Sequence, residues 1–61
     1  MQEEQARFVL WSGIENGIQN VEIYQLYAEY NKDYNNVIAE EYINEALIYS
    51  NYDADVMKWA M

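Results

Sequence analysis

Cysteine, histidine and proline are absent from these 61 residues, glycine occurs twice, and only three residues are basic. Without cysteine there is no disulfide framework of the kind that holds small secreted domains together. Without cysteine and histidine there is no zinc site of the usual ligand types. Missing histidine also removes the side chain whose ordinary pKa lies nearest neutrality, and with it most general acid–base designs. No apolar run approaches the ~20 residues of a membrane span. The start, Met1-Gln2-Glu3-Glu4-Gln5, is polar and acidic, unlike the basic head of a secretory signal. These absences point to a cytoplasmic protein with no membrane association and no cofactor.

Against the three bases stand eleven carboxylates, for a net charge of −8. That balance argues against direct binding of nucleic acid or an anionic membrane and points to a basic partner. A chain this short buries only ~60% of its unfolded surface, so it needs dense packing or self-association. With 52% hydrophobic residues, including seven tyrosines and two tryptophans, it has the material for a core. High charge alone reads as disorder only when hydrophobicity is low. One folded domain over 1–61 is expected.

Hydrophobic spacing predicts helices. Over Gln2 to Asn16, Leu10, Trp11, Ile14 and Ile18 share one face, and Gly17 suits a C-terminal cap. Gly13 weakens that helix, and Phe8 and Val9 fall off its apolar face. The alternative leaves Arg7–Trp11 extended, with Ser12 and Glu15 as a capping box opening a later helix. From Val21 to about Lys32, after the N-cap Asn20, a stripe of Ile23, Tyr24, Tyr27, Tyr30 and Tyr34 opposes Glu22, Glu29 and Asp33. From Val37 to about Ser50, Ile38, Ala39, Tyr42, Ile43, Ala46 and Leu47 oppose Glu40, Glu41, Asn44 and Glu45. Asn35 or Asn36 caps that helix, Ala39 and Ala46 allow close helix approach, and Val37 and Ile48 lie on the polar side. After Asp53, a short helix Ala54 to Ala60 turns Val56, Met57, Trp59 and Ala60 inward. The expected architecture is all-α, a compact bundle of three to four helices.

Glu45-Ala46-Leu47 through Trp59-Ala60-Met61 resembles helix two, turn and helix three of a ubiquitin-associated domain, and residues 20–61 would span that family's three helices. The family's Met-Gly-aromatic loop after helix one is replaced here by Tyr30-Asn31-Lys32. The resemblance therefore implies the three-helix arrangement and not ubiquitin binding. In composition the whole chain resembles small acidic phage-encoded inhibitors, the antirestriction DNA mimics and anti-CRISPR proteins. That resemblance implies an inhibitor acting in the host cytoplasm.

Carboxylates one helical turn apart, such as Glu41 and Glu45 or Glu29 and Asp33, are more often a solvated face than a catalytic pair in a bundle with little room for a cleft. Asn31, Asp33 and Asn35 alternate as in a calcium loop, but the sixth position is Asn36 and the twelfth Tyr42, where that loop needs Gly and Glu. The same alternation at Asn51, Asp53 and Asp55 also lacks them, so both segments read as turns and caps. Each base follows an acid by three or four residues: Glu3 or Glu4 before Arg7, Glu29 before Lys32, Asp55 before Lys58. The remaining acids are free to face a partner. Glu15, Glu22 and Glu29 are seven apart and make a row only if one helix carries all three.

The expected function is non-enzymatic: Glu22, Glu29, Asp33, Glu40, Glu41 and Glu45 offer a basic nucleic-acid-binding protein a substitute for phosphates, and Ile48, Tyr49 and Tyr52 add apolar contacts. The alternatives are a helical protein-interaction module docking through its apolar face, or a homodimer formed through the tyrosine stripe. At least two tyrosines are expected to stay exposed, because so small a core cannot hide them all.

Overall fold

Short polar side chains start three of the four helices in the computed structural model, which describes residues 2–61. Among these residues the order is α1 (Gln2–Glu15), α2 (Val21–Asn31), α3 (Asn36–Tyr49) and α4 (Ala54–Ala60). Asn20 Oδ1 accepts from the amides of Glu22 and Ile23 at the head of α2. Asn35 Oδ1 accepts from Val37 and Ile38 at the head of α3, and Asp53 Oδ1 from Asp55 at the head of α4. Each cap satisfies donors that the first helical turn leaves orphaned. All four segments follow the spacing of the sequence, and Arg7–Trp11 is helical rather than extended.

Two helix ends use left-handed residues. Gly17, at φ 93°, closes α1: its amide donates to the Ile14 carbonyl at 3.0 Å, and the Ile18 amide to the Gly13 carbonyl at 3.1 Å. This is the paired-bond ending that glycine favours. It also accounts for Gly13, since a Cβ there would meet Ile18 Cδ1 at 3.3 Å. The end of α3 has the same pair of bonds, Asn51 to Ile48 at 3.0 Å and Tyr52 to Leu47 at 2.8 Å, but no glycine. Asn51 and Tyr52 both sit at φ 59°. Asparagine tolerates this region, whereas a bulky side chain is strained there. Tyr52→Gly is therefore expected to raise stability by about 1 kcal/mol. The urea midpoint would read this, and an unchanged or lower midpoint would contradict the strain.

The dominant packing joins α2 to α3, a helical hairpin across the short 32–35 turn. Ala28 on α2 and Ala39 and Ala46 on α3 are buried, and their small side chains let the helices approach. Tyr24, Ala46 and Val56 form the core cluster, flanked by Ile14, Val21, Tyr42, Leu47 and Trp59. Helix α1 rests on α2 and α4 on α3. No described residue of α1 is buried.

The tyrosine stripe divides. Tyr24 and Tyr27 are buried, their rings 5.8 and 4.8 Å from that of Tyr42. Tyr30 and Tyr34 are exposed, as are Tyr49 and Tyr52. Asn31, which the sequence places in the turn ending α2, is instead its last residue and is buried, 1% exposed, with Nδ2 donating to the Tyr27 carbonyl at 2.8 Å. A homodimer cannot use the whole stripe, because half of it holds α2 to α3.

Candidate functional site

Two groups of acidic residues stand out, one on the polar side of α2 and one on that of α3. Residues seven apart on a helix differ by only ~20° in direction and lie ~10.5 Å apart along the axis. Glu22 and Glu29 are such a pair on α2, exposed and opposite buried Tyr24, Ala28 and Asn31. Leu26 lies between them, and Trp59 from α4 lines the same shallow recess. At the far end of α2, Glu29 joins Glu3 and Asp33 around Arg7, Tyr30 and Tyr34. There the Arg7 guanidinium carbon stands 4.0 Å over the Tyr34 ring, and Nη1 donates weakly to the Tyr30 carbonyl at 3.4 Å. Arg7 is thus held by a cation–π contact with Tyr34.

The second surface is the outer strip of α3. Glu41 and Glu45 lie one turn apart, ~6 Å along the axis. Glu41 is exposed and Glu45 half-buried. Ile48 follows Glu41 by seven residues and lies almost directly in line with it; Tyr49 follows Glu45 by four. Tyr52 lies beyond the helix end. Ile48, Tyr49 and Tyr52 are 55%, 46% and 58% exposed, and on α3 itself Ile48 follows Glu41 and Tyr49 follows Glu45. Tyr49 is anchored: its ring centroid lies 5.3 Å from that of Tyr24, and its hydroxyl accepts from Gln19 Nε2 at 3.4 Å.

Tyr42 shows which acids gather here. Burial raises its pKa above the ordinary tyrosine value, and Glu41, Tyr27, Glu15 and Glu45 raise it further, in that order. Glu15, from the end of α1, therefore joins Glu41 and Glu45. Tyr24 is raised by burial first, then by Tyr49 and Glu45. Both hydroxyls stay protonated at neutral pH, and that of Tyr24 donates to the Ile18 carbonyl at 3.4 Å.

Of the residues singled out by sequence, the structure carries Glu41, Glu45, Ile48 and Tyr49 on α3, Glu22 and Glu29 on α2 with Asp33 just past its end, and Tyr52 in the turn after α3. Glu40 is exposed but turned ~100° from Glu41, so it does not share a face with Glu41 and Glu45. The seven-residue row is broken, because α1 ends at Glu15 and Glu22 belongs to α2. Sequence reasoning did not single out Glu15 for the α3 surface or Trp59 for the α2 surface; neither contact is local in the chain. Among the described residues no helix is long and apolar enough to cross a membrane, and no group of histidine, cysteine, aspartate and glutamate is placed to hold a metal ion. Comparison with protein-family models, with curated proteins and with solved structures finds no match for this chain.

Proposed function

We propose that this protein is a non-enzymatic inhibitor that acts in the cytoplasm and occupies the nucleic-acid-binding site of a basic host or defence protein. The observation that supports the reading is the outer side of α3, where Glu41 and Glu45 are followed by exposed Ile48 and Tyr49. Carboxylates at helical-turn spacing suit a cleft whose lysines and arginines bind phosphates. The excess of negative charge speeds the encounter, and the apolar end supplies short-range contact. Such a chain would be of antirestriction or anti-CRISPR type, encoded by a phage.

The test is competition. A basic nucleic-acid-binding protein recovered with this chain should lose its DNA or RNA as the chain is added. Glu15→Gln, Glu41→Gln and Glu45→Gln together remove three charges beside Tyr42. Glutamine nearly matches glutamate in helix propensity, so the fold is retained. Affinity at low salt is expected to fall on the order of tenfold, from a few tenths of a kcal/mol per surface charge pair. The difference should shrink as salt rises. The matched pair Glu22→Gln and Glu29→Gln, on α2, should change affinity less. Equal affinity for wild type and the α3 triple variant at low salt would end the mimicry reading for this surface.

A second reading, apolar docking of a protein partner, is favoured by one observation: an exposed tyrosine held at φ 59°. Backbone strain persists where the surroundings or a function demand it. On this reading Ile48→Ala and Tyr52→Gly abolish binding, although Tyr52→Gly stabilises the fold, and the charge substitutions are tolerated.

A further inference from the structure

We infer that Asn16-Gly17 is a self-modification site, where the chain converts its own asparagine to aspartate and isoaspartate, and that the closing bonds of α1 hold the reaction in check. Of seven asparagines only Asn16 precedes a glycine. Valine follows Asn20 and Asn36, and lysine, asparagine, glutamate and tyrosine follow Asn31, Asn35, Asn44 and Asn51. Those side chains crowd the amide that would have to react. Glycine has no Cβ, so its amide nitrogen can fold back onto the side chain before it. The surroundings add no obstacle here. Asn16 is exposed and lies just past the last residue of α1, and even a Cβ built on Gly17 would meet nothing within 4 Å.

The chemistry consumes only water. Gly17 N gives its proton to hydroxide and attacks Asn16 Cγ. The N–Cγ bond forms, the Cγ–Nδ2 bond breaks, and Nδ2 leaves as ammonia with a proton from water, which restores the hydroxide. Water then opens the five-membered imide. Opening at Cγ leaves aspartate. Opening at the Asn16 main-chain carbonyl leaves isoaspartate, whose main chain is one atom longer. In the folded chain both reacting groups are tied. The Gly17 amide, which must lose its proton, donates to the Ile14 carbonyl at 3.0 Å. Asn16 Nδ2, the leaving group, donates to the Ser12 carbonyl at 2.8 Å. The reaction therefore proceeds from the frayed helix end, a local opening short of unfolding. Its product cannot close the end again. A carboxylate has no proton to give the Ser12 carbonyl, and it adds a charge beside Glu15 at the negative end of the helix dipole. In the isoaspartate form the longer main chain also draws the Gly17 and Ile18 amides off the Ile14 and Gly13 carbonyls.

The test keeps the whole chain at neutral pH and physiological temperature for days, folded in one arm and in concentrated urea in the other. Intact mass follows the conversion, and fragment masses with isoaspartate-specific methylation place it. In urea Asn16 should convert before any other asparagine. Folded, it should convert about tenfold more slowly or slower still, by the same factor that protects the Gly17 amide from hydrogen exchange, since both need one opening. Gly17→Ala in urea, where the strain of φ 93° has no bearing, should slow the conversion at Asn16 to the rate of the other asparagines. The isoaspartate form, separated by chromatography, should have lost exchange protection at Gly17 and Ile18. Another asparagine converting first in urea overturns the inference. So does a folded chain that converts as fast as the unfolded one, a Gly17→Ala chain as fast as wild type in urea, or an isoaspartate form as protected as the original.

Discussion

Tyr24→Ala is expected to leave the chain largely unfolded at room temperature. Tyr24 is 5% exposed and sits in the core cluster with Ala46 and Val56. Its ring stands 5.8 Å from that of Tyr42 and 5.3 Å from that of Tyr49, so one side chain ties α2 to two turns of α3. Truncating a buried aromatic to alanine costs ~3–5 kcal/mol, from lost burial and the cavity left behind. At ~0.05–0.15 kcal/mol per residue, a domain this size holds only ~3–9 kcal/mol in total. Tyr24→Phe is the control. It keeps the ring and removes a hydroxyl whose bond to the Ile18 carbonyl is long, 3.4 Å, so it should cost under about 1 kcal/mol. Urea unfolding followed by circular dichroism distinguishes the two. A cooperative transition in Tyr24→Ala, with a midpoint close to wild type, would show that the core is not organised around this ring.

Helix positions were legible in the sequence because each signal is local. Apolar residues three and four apart, Asn20, Asn35 and Asp53 before them and Gly17 after α1 act within a turn or two of where they stand. What the sequence did not reveal depends on partners far along the chain. The sequence says that at least two tyrosines stay exposed but not which: Tyr24 and Tyr27 meet α3, while Tyr34 lies exposed beyond the end of α2, with the Arg7 guanidinium over one face of its ring. Spacing places Trp11 on a core face, but α1 packs mainly on α2 and leaves it 44% exposed. Met57 was turned inward on the same reasoning and is 43% exposed, since a seven-residue helix lying on α3 has room to bury little beyond Val56. The end of α3 gave no glycine to announce two left-handed residues. The candidate site was legible in its parts and not in its grouping: net charge named the acids, but only the packing of α2 on α3 separates Glu22 and Glu29 from Glu41 and Glu45.

Alkaline pH should destabilise the protein where neutral pH does not. Tyr24 and Tyr42 both have pKa values raised above the ordinary tyrosine value of 10.0, each chiefly by burial. The remaining causes are neighbouring tyrosines and carboxylates, which would repel a phenolate: Tyr49 and Glu45 at Tyr24; Glu41, Tyr27, Glu15 and Glu45 at Tyr42. A raised folded-state pKa means that the folded chain keeps these protons to higher pH than the unfolded chain does. Stability then falls as pH rises wherever the folded state binds more protons. The contribution is fully present below the unfolded pKa of 10.0 and is lost as pH climbs from there through the folded values. The melting temperature should hold nearly level from about pH 7 to about pH 9, then drop by roughly 5–10 °C by about pH 11, a large shift for a domain of this size. Tyr24→Phe with Tyr42→Phe should flatten that fall, because neither ring can then ionise in either state. Salt alone should not flatten it, since screening reduces repulsion between exposed charges but leaves the burial that dominates both shifts. A melting temperature level through pH 11, or a fall as steep in the double phenylalanine variant as in wild type, would show that these two hydroxyls do not couple folding to pH.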